Sequence, residues 1–558
     1  MARVWTSAFF VMMAISAAMA LMASADEMMC NYLKEQNSET MVTEFIMDCQ
    51  RLQLGEVPVF NSKRKVDKLL LGGNQITRVL DDAFKHISPS VIDLHGNIIT
   101  TMEDNAFRGL ETKLKSLNLS VNPLPFYKLE SAFKLSELEI LDLHDTNLRE
   151  KLTLKKAAFR GLDKLRHLVL GGNGIRTLNR TFSGLNELRI LDLQNNKLSS
   201  LGHSLGGLKK LEKLDISSNN LRHFPKDDLK DLENLVDLSL HGNRIKKIQD
   251  GAFDKANKIE RLCLSQNPIK TFELLNAPAF KPIGNSLKHL DLKKTNLPSA
   301  PVNLFKETRS LESLDISSNK FKDIPNGAFS SLNSLKVLKL GSNPLTLNPG
   351  LVTGLENSIK EIYLDDMDLT KIPSAVVQKL QNLEKLDLSS NDITEITAEC
   401  LAGIGTWKYS FEKNKIEQIS PQAFESAKKP VEVDLVDNKL RDLDFAANGC
   451  RFAFIDVTDN PITCGCSVRE LLRHADLEII GTCTSPAEYR NLDIMSPEFR
   501  EETDAKCNRT KTEIVYCNLA GSDGATGGAV GESRTTPLYL SLLISVLIQT
   551  IGVLLHEL

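Results

Sequence analysis

An asparagine recurs along this chain at steps of mostly 23 to 25 residues, each time at the end of the same apolar pattern. The fourteen are Asn74, Asn97, Asn122, Asn173, Asn196, Asn219, Asn243, Asn267, Asn319, Asn343, Asn391, Asn414, Asn438 and Asn460. Thr146, Thr295 and Met367 hold the same slot in three further units, giving 17 repeats of the form L-x-x-L-x-L-x-x-N-x-L. The clearest are LRILDLQNNKL at 188–198, LEKLDISSNNL at 211–221 and LEKLDLSSNDI at 383–393. One such unit cannot bury its own apolar residues, so the period predicts a solenoid in which neighbours cover one another and both ends need caps.

In LEKLDLSSNDI, strand alternation sends Leu383, Leu386, Leu388 and Ile393 inward and leaves Glu384, Lys385 and Asp387 outside. Asn391 falls where the chain turns away, and its amide both donates to and accepts from backbone groups that would otherwise be buried unpaired. Stacked copies of that residue form a ladder. A phenylalanine follows in many units, as at Phe84, Phe107, Phe253, Phe305, Phe329 and Phe424, and is expected to fill the far side of the coil.

Residues 66–462 resemble the animal extracellular class of leucine-rich repeat proteins. The resemblance implies an α/β repeat solenoid: a horseshoe with a concave parallel β-sheet and disulfide caps at both ends. It implies bridges Cys464–Cys483 and Cys466–Cys507 in a C-terminal cap that starts at NPITCGCSVRELLRHADL, where Ile462 stands in place of the family's usual tryptophan. Cys30 and Cys49 are expected to close the N-terminal cap, while the pairing of Cys263, Cys400, Cys450 and Cys517 stays open.

The two ends speak to compartment. Arg3, a short apolar run and Ala23-Ser24-Ala25 describe a secretory signal peptide over 1–25. The expected organisation continues with an N-terminal cap at 26–65, the repeats at 66–462 and a cysteine-rich cap at 463–517. A small, polar stalk at 518–537 and a hydrophobic tail at 538–558 follow, and they match a glycosylphosphatidylinositol signal with Ser522, Asp523 and Gly524 as acceptor candidates. Asn118, Asn179 and Asn508 lie in N-glycosylation sequons. Cysteine usage fits an oxidising compartment.

Taking the second, third, fifth, seventh and eighth position of each repeat as the outward face, that face holds 24 Asp plus Glu against 15 Lys plus Arg, a formal −9 where the whole chain is −4. Lys288, Lys293, Lys294, Lys336 and Lys339 form a basic island near its middle, and Glu432, Asp434, Asp437, Asp456 and Asp459 an acidic end. Such a field steers charged partners. Interfaces centre on aromatics, and Tyr363 and Trp407 are the main ones here, so Tyr363, Asp365, Asp366, Asp387 and Trp407 form the candidate contact centre. An Asn118 glycan would shield the N-terminal part of the same face.

No catalytic constellation, phosphate loop or cofactor motif appears. His95 and His144 sit two repeats apart, nearly 10 Å at about 4.8 Å per strand, too far for a tight zinc site. Asp365, Asp366 and Asp387 suggest a calcium site only weakly, because the D-x-[DN]-x-[DN]-G loop is missing. An acidic face argues against nucleic acid. The chain is thus expected to be a non-enzymatic, lipid-anchored adhesion or recognition protein on the outer cell surface, similar in architecture to the chaoptin and connectin adhesion families. Its partner would be an extracellular protein or a second copy, with a co-receptor to carry signals inward. A receptor subunit resembling the Toll ectodomain is the alternative.

Overall fold

The computed structural model describes residues 30–36, 42–60, 64–146, 153–154, 157–269 and 277–507. The expected signal peptide, Asn508, Cys517, the acceptor candidates Ser522, Asp523 and Gly524, and the hydrophobic tail lie outside the described residues.

Every repeat contributes one short strand to a single sheet of 20 strands, the remaining three coming from the caps. Leucine pairs with leucine across the sheet, as in Leu214, Leu238 and Leu262, and this parallel register is what the recurring spacing imposes. A one-residue slip would expose all of these side chains. The strands are followed by the asparagine ladder. Asn243 shows its geometry: Nδ2 donates to Ile216 O at 2.9 Å and to Leu240 O at 3.0 Å, while Oδ1 accepts from Leu221 N–H at 3.0 Å. Thr146 and Thr295 keep part of this, each donating Oγ1–H to the carbonyl three residues before it, whereas Met367 offers only its backbone N–H to Asn391.

The turn into the ladder has a fixed conformation. The residue just before each ladder position has positive φ in all 17 repeats, from Gly73 at 66° to Asp459 at 57°. Glycine, asparagine, aspartate and serine fill most of these positions; Val121, at 53°, is the β-branched exception and carries backbone strain. On the far side, Phe84 and Phe107 stack at 5.5 Å, and Phe305 and Phe329 meet at 5.4 Å, all four being buried. Among the described residues, helix on that side is short, as at Val302–Glu307 and Ser374–Val377.

The caps extend the same logic. Strands Asn31–Gln36 and Thr43–Asp48 form an antiparallel hairpin closed by Cys30–Cys49, and the second runs parallel to Lys68–Leu70. Asn74 reaches into this cap, donating to Cys49 O at 2.9 Å and accepting from Leu52 N–H at 2.9 Å. At the other end, strand Glu478–Ile480 pairs with the last repeat strand. Cys466–Cys507 joins the helix Cys466–Leu471 to the end of Pro497–Lys506, and Cys464–Cys483 lies beside it. Ile462 is fully buried and its carbonyl accepts from Thr484 N–H at 2.8 Å, so the cap is packed despite lacking the tryptophan.

Cysteines outside these bridges divide. Cys450 is disulfide-bonded, and Cys263 and Cys400 are free thiols. Cys263 does not present the exposed, reactive thiol that its outward strand position suggests. Burial, with Asp291 beside it, pushes the thiol up to about 12, and Sγ lies 3.1 Å from both Ser265 Oγ and Asp291 Oδ2. The thiolate needed for disulfide exchange is therefore scarce at neutral pH.

Candidate binding surface

The outward positions of the strands make one continuous face, and its acid is partly structural. Asp93, Asp142, Asp192, Asp215, Asp291, Asp315, Asp387, Asp434 and Asp456 each accept the backbone N–H two residues further on, at 2.8–3.1 Å. Asn118 takes the same place in its repeat, with Oδ1 accepting from Ser120 N–H at 3.0 Å and Ser120 Oγ–H at 2.7 Å. The second sequon residue, Asn179, is exposed. Much of the basic charge is also engaged: Lys288–Glu260, Lys336–Glu312 and Lys360–Glu384 form ion pairs between neighbouring repeats.

Tyr363, Asp365 and Asp387 lie close enough to act on one another's charge. Tyr363 and Asp387 are register partners on adjacent strands. Tyr363 is not an open platform, however, because Lys339 Nζ and Lys385 Nζ lie 5.0 and 4.5 Å from its ring centroid. Its hydroxyl donates to Glu361 Oε2 at 2.8 Å. Asp365 leans over Gly341, where a Cβ would come within 2.2 Å of its Oδ1. Burial raises its pKa, and Asp387 and Asp315 add to the shift. Asp366 is exposed.

Trp407 belongs elsewhere. It lies at the sheet edge in a cavity of about 250 Å³ lined by Lys360, Glu384, Lys428 and Lys429, with none of the four carboxylate-side residues in its wall. Lys429 Nζ sits 4.6 Å from the ring centroid and the indole Nε1 is buried without a hydrogen-bond partner. Of the five candidates, Tyr363, Asp365 and Asp387 thus share one place and Trp407 lies in another. The lysines over both aromatics escaped the sequence reading; Lys339 was findable as the in-register residue 24 positions before Tyr363, but Lys429 comes from a loop.

The histidines are also separate: His95 pairs with Asp93 at 2.8 Å and His144 with Asp145 at 3.2 Å. Among the described residues, no three His, Cys, Asp or Glu side chains are grouped to hold a metal ion.

Asp434 tests the structural share of the acid. Its pKa is raised by burial, with Glu412, Asp456 and Asp387 adding to it. The folded chain then holds more protons than the unfolded chain at pH values between the ordinary 3.8 and the raised value, so this group stabilises the fold as pH falls through that window. Asp434→Asn keeps the Oδ1 acceptor, as Asn118 does, and is expected to hold stability and flatten that pH dependence. Asp434→Ala strands the Val436 N–H and should cost ~1 kcal/mol. Urea unfolding between mild acid and neutral pH checks both, and equal effects of the two variants would refute the acceptor role.

Comparison with known proteins agrees with this architecture. Residues 64–124, 136–198, 199–245 and 285–345 match the family "Leucine rich repeat", and residues 353–456 match "BspA type Leucine rich repeat region". The chain belongs to the leucine-rich repeat family. A stretch of 101 residues is 37% identical to human "Leucine-rich repeats and immunoglobulin-like domains protein 1", spanning 18% of this chain and only 9% of that protein. A leucine-rich repeat protein of Leptospira interrogans superposes with a TM-score of 0.51 at 23% identity, over 66% of this chain and 96% of that one. A chain of the Drosophila Toll–Spatzle complex does so with a TM-score of 0.51 at 18% identity, over 81% and 70%. These two likenesses show the fold alone.

Proposed function

We propose that this chain is a non-catalytic recognition or adhesion protein of the outer cell surface, lipid-anchored, that docks a basic protein surface on the acidic end of its sheet. One observation carries the reading. Asp365, Asp366, Asp434, Asp437, Asp456 and Asp459 form no ion pair with a described residue, and Asp387 meets only Lys385, at 3.8 Å. Carboxylates left unpaired in this density attract a cationic partner from a distance, and the attraction weakens as salt screens it. Tyr363, held between two lysines, contributes a fixed centre rather than a stacking face. Surface display rests on the signal-peptide and lipid-attachment patterns, and a chain held only by lipid requires a co-receptor for inward signalling.

Cells expressing the full chain, mixed with labelled non-expressing cells, should cluster, with themselves if binding is homophilic and with both kinds if it is not. Phosphatidylinositol-specific phospholipase C should disperse the clusters and release the ectodomain. Absence of clustering would overturn the adhesion reading in favour of a soluble-ligand receptor, and protein retained on treated cells would overturn the lipid anchor.

A further inference from the structure

A second charged surface lies away from the acidic strip, on the flank where repeats 5 to 8 leave the sheet just beyond the asparagine ladder. Arg176, Lys197, Arg222, Arg244, Lys246 and Lys247 all stand exposed there. None of the six enters an ion pair with a described residue. No Asp or Glu occurs in residues 170–177, 193–200, 216–223 or 240–247, the four segments that build the flank and its border with the sheet. Those segments supply glycine, serine, asparagine and histidine instead.

The arrangement is rigid and linear. Lys197 N–H donates to Ile175 O, Asn220 N–H to Leu198 O and Arg244 N–H to Leu221 O, each at 2.8 Å, so every turn is fastened to the one before it. Cations therefore succeed one another at about 4.8 Å per turn along the solenoid. The same flank further along is mixed, with Asp368, Asp392, Glu395 and Glu417 among Lys371 and Lys415, and Lys415 is paired with Asp392 at 2.6 Å. Repeats 5 to 8 thus differ from repeats 13 to 15 in charge, not in fold.

We infer that this flank binds a linear sulfated polysaccharide. Four turns of unpaired guanidinium and ammonium groups match sulfates spaced along a chain, and the adjoining serine and asparagine side chains add donors. A narrow polyanion can follow the flank without meeting the acid of the sheet face, whereas a broad anionic membrane would lie against both. The choice of a sulfated glycan rests on the extracellular reading; the cationic surface itself does not. Because the flank is separate from the acidic strip, failure of cell clustering leaves this inference standing, and the reverse also holds.

The test uses the full chain purified from expressing cells and applied to immobilised heparin. It should be retained and then eluted by salt, and desulfated heparin should not hold it. Together, Arg222→Gln, Arg244→Gln, Lys246→Gln and Lys247→Gln should abolish retention with an unchanged melting temperature. Lys320→Gln, Lys322→Gln, Lys371→Gln and Lys439→Gln remove the same charge from the same flank elsewhere and should leave retention intact. A charge-keeping set, Arg244→Lys, Lys246→Arg and Lys247→Arg, should also be retained, which guards against a folding defect. Equal retention of the two glutamine sets would overturn the inference. So would binding to desulfated heparin, or binding to phosphatidylserine vesicles or RNA as tight as to heparin.

Discussion

Replacing Asn267 by alanine is expected to lower the stability of the solenoid by about 3 kcal/mol, since several buried backbone groups lose their partner at ~1–3 kcal/mol each. Asn267 is 1% exposed. Its Nδ2 donates to Leu240 O and Leu264 O at 2.9 Å, and its Oδ1 accepts from Ile245 N–H at 2.9 Å. Alanine removes all three. Asn267→Thr should recover part of the loss, because Thr146 and Thr295 show that a hydroxyl in this slot still donates to the carbonyl three residues back. The damage should spread only to adjacent repeats, as stability in a stacked array is passed between neighbours. Urea unfolding of the three proteins decides the point, and threonine performing no better than alanine would contradict the account of the ladder.

Cys466→Ser should be comparably severe. The bridge to Cys507 closes a separation of 41 residues and fastens the first helix of the C-terminal cap to its last. Loss of a structural bridge in a secreted domain costs roughly 2–5 kcal/mol. It would also loosen the cover over Ile455 and Val457, which are buried in the last repeat. Secretion should fall sharply and Cys507 should become open to alkylation. Peptide mapping under non-reducing conditions that joined Cys466 to another cysteine would refute the pairing.

The ladder, the strand register and the buried phenylalanines could be read from the sequence because each obeys one local rule repeated many times. The surroundings of the candidate contact residues could be read only in part. Asp387 looks like surface charge in sequence, yet its Oδ1 accepts from Ser389 N–H at 3.1 Å and Ser389 Oγ–H at 2.7 Å, so a lysine there would disturb the turn as well as the field. Tyr363 looks exposed, but Lys339 and Lys385 of the neighbouring strands, 24 and 22 residues away, cover it, a contact that follows from the repeat register and not from the unit holding Tyr363. Trp407 shares the outward alternation of Tyr363 but opens onto the edge cavity with Lys428 and Lys429. Cys263 shows the same limit, since Asp291, whose Oδ2 lies 3.1 Å from its Sγ, comes from the next repeat.

Charge removal that spares the fold tests whether the acidic end of the sheet makes the contact. Asp365→Asn, Asp366→Asn and Asp387→Asn keep side-chain acceptors in place, so the ectodomain should reach the surface and melt normally. In the cell-clustering assay this variant should cluster far less than the unaltered chain, and raised salt should narrow the difference by weakening the unaltered chain. The matching change of Asp67 and Asp93 to asparagine at the N-terminal end should leave clustering unchanged. Clustering that survived the first set, or was lost with the second, would contradict this placement of the binding surface.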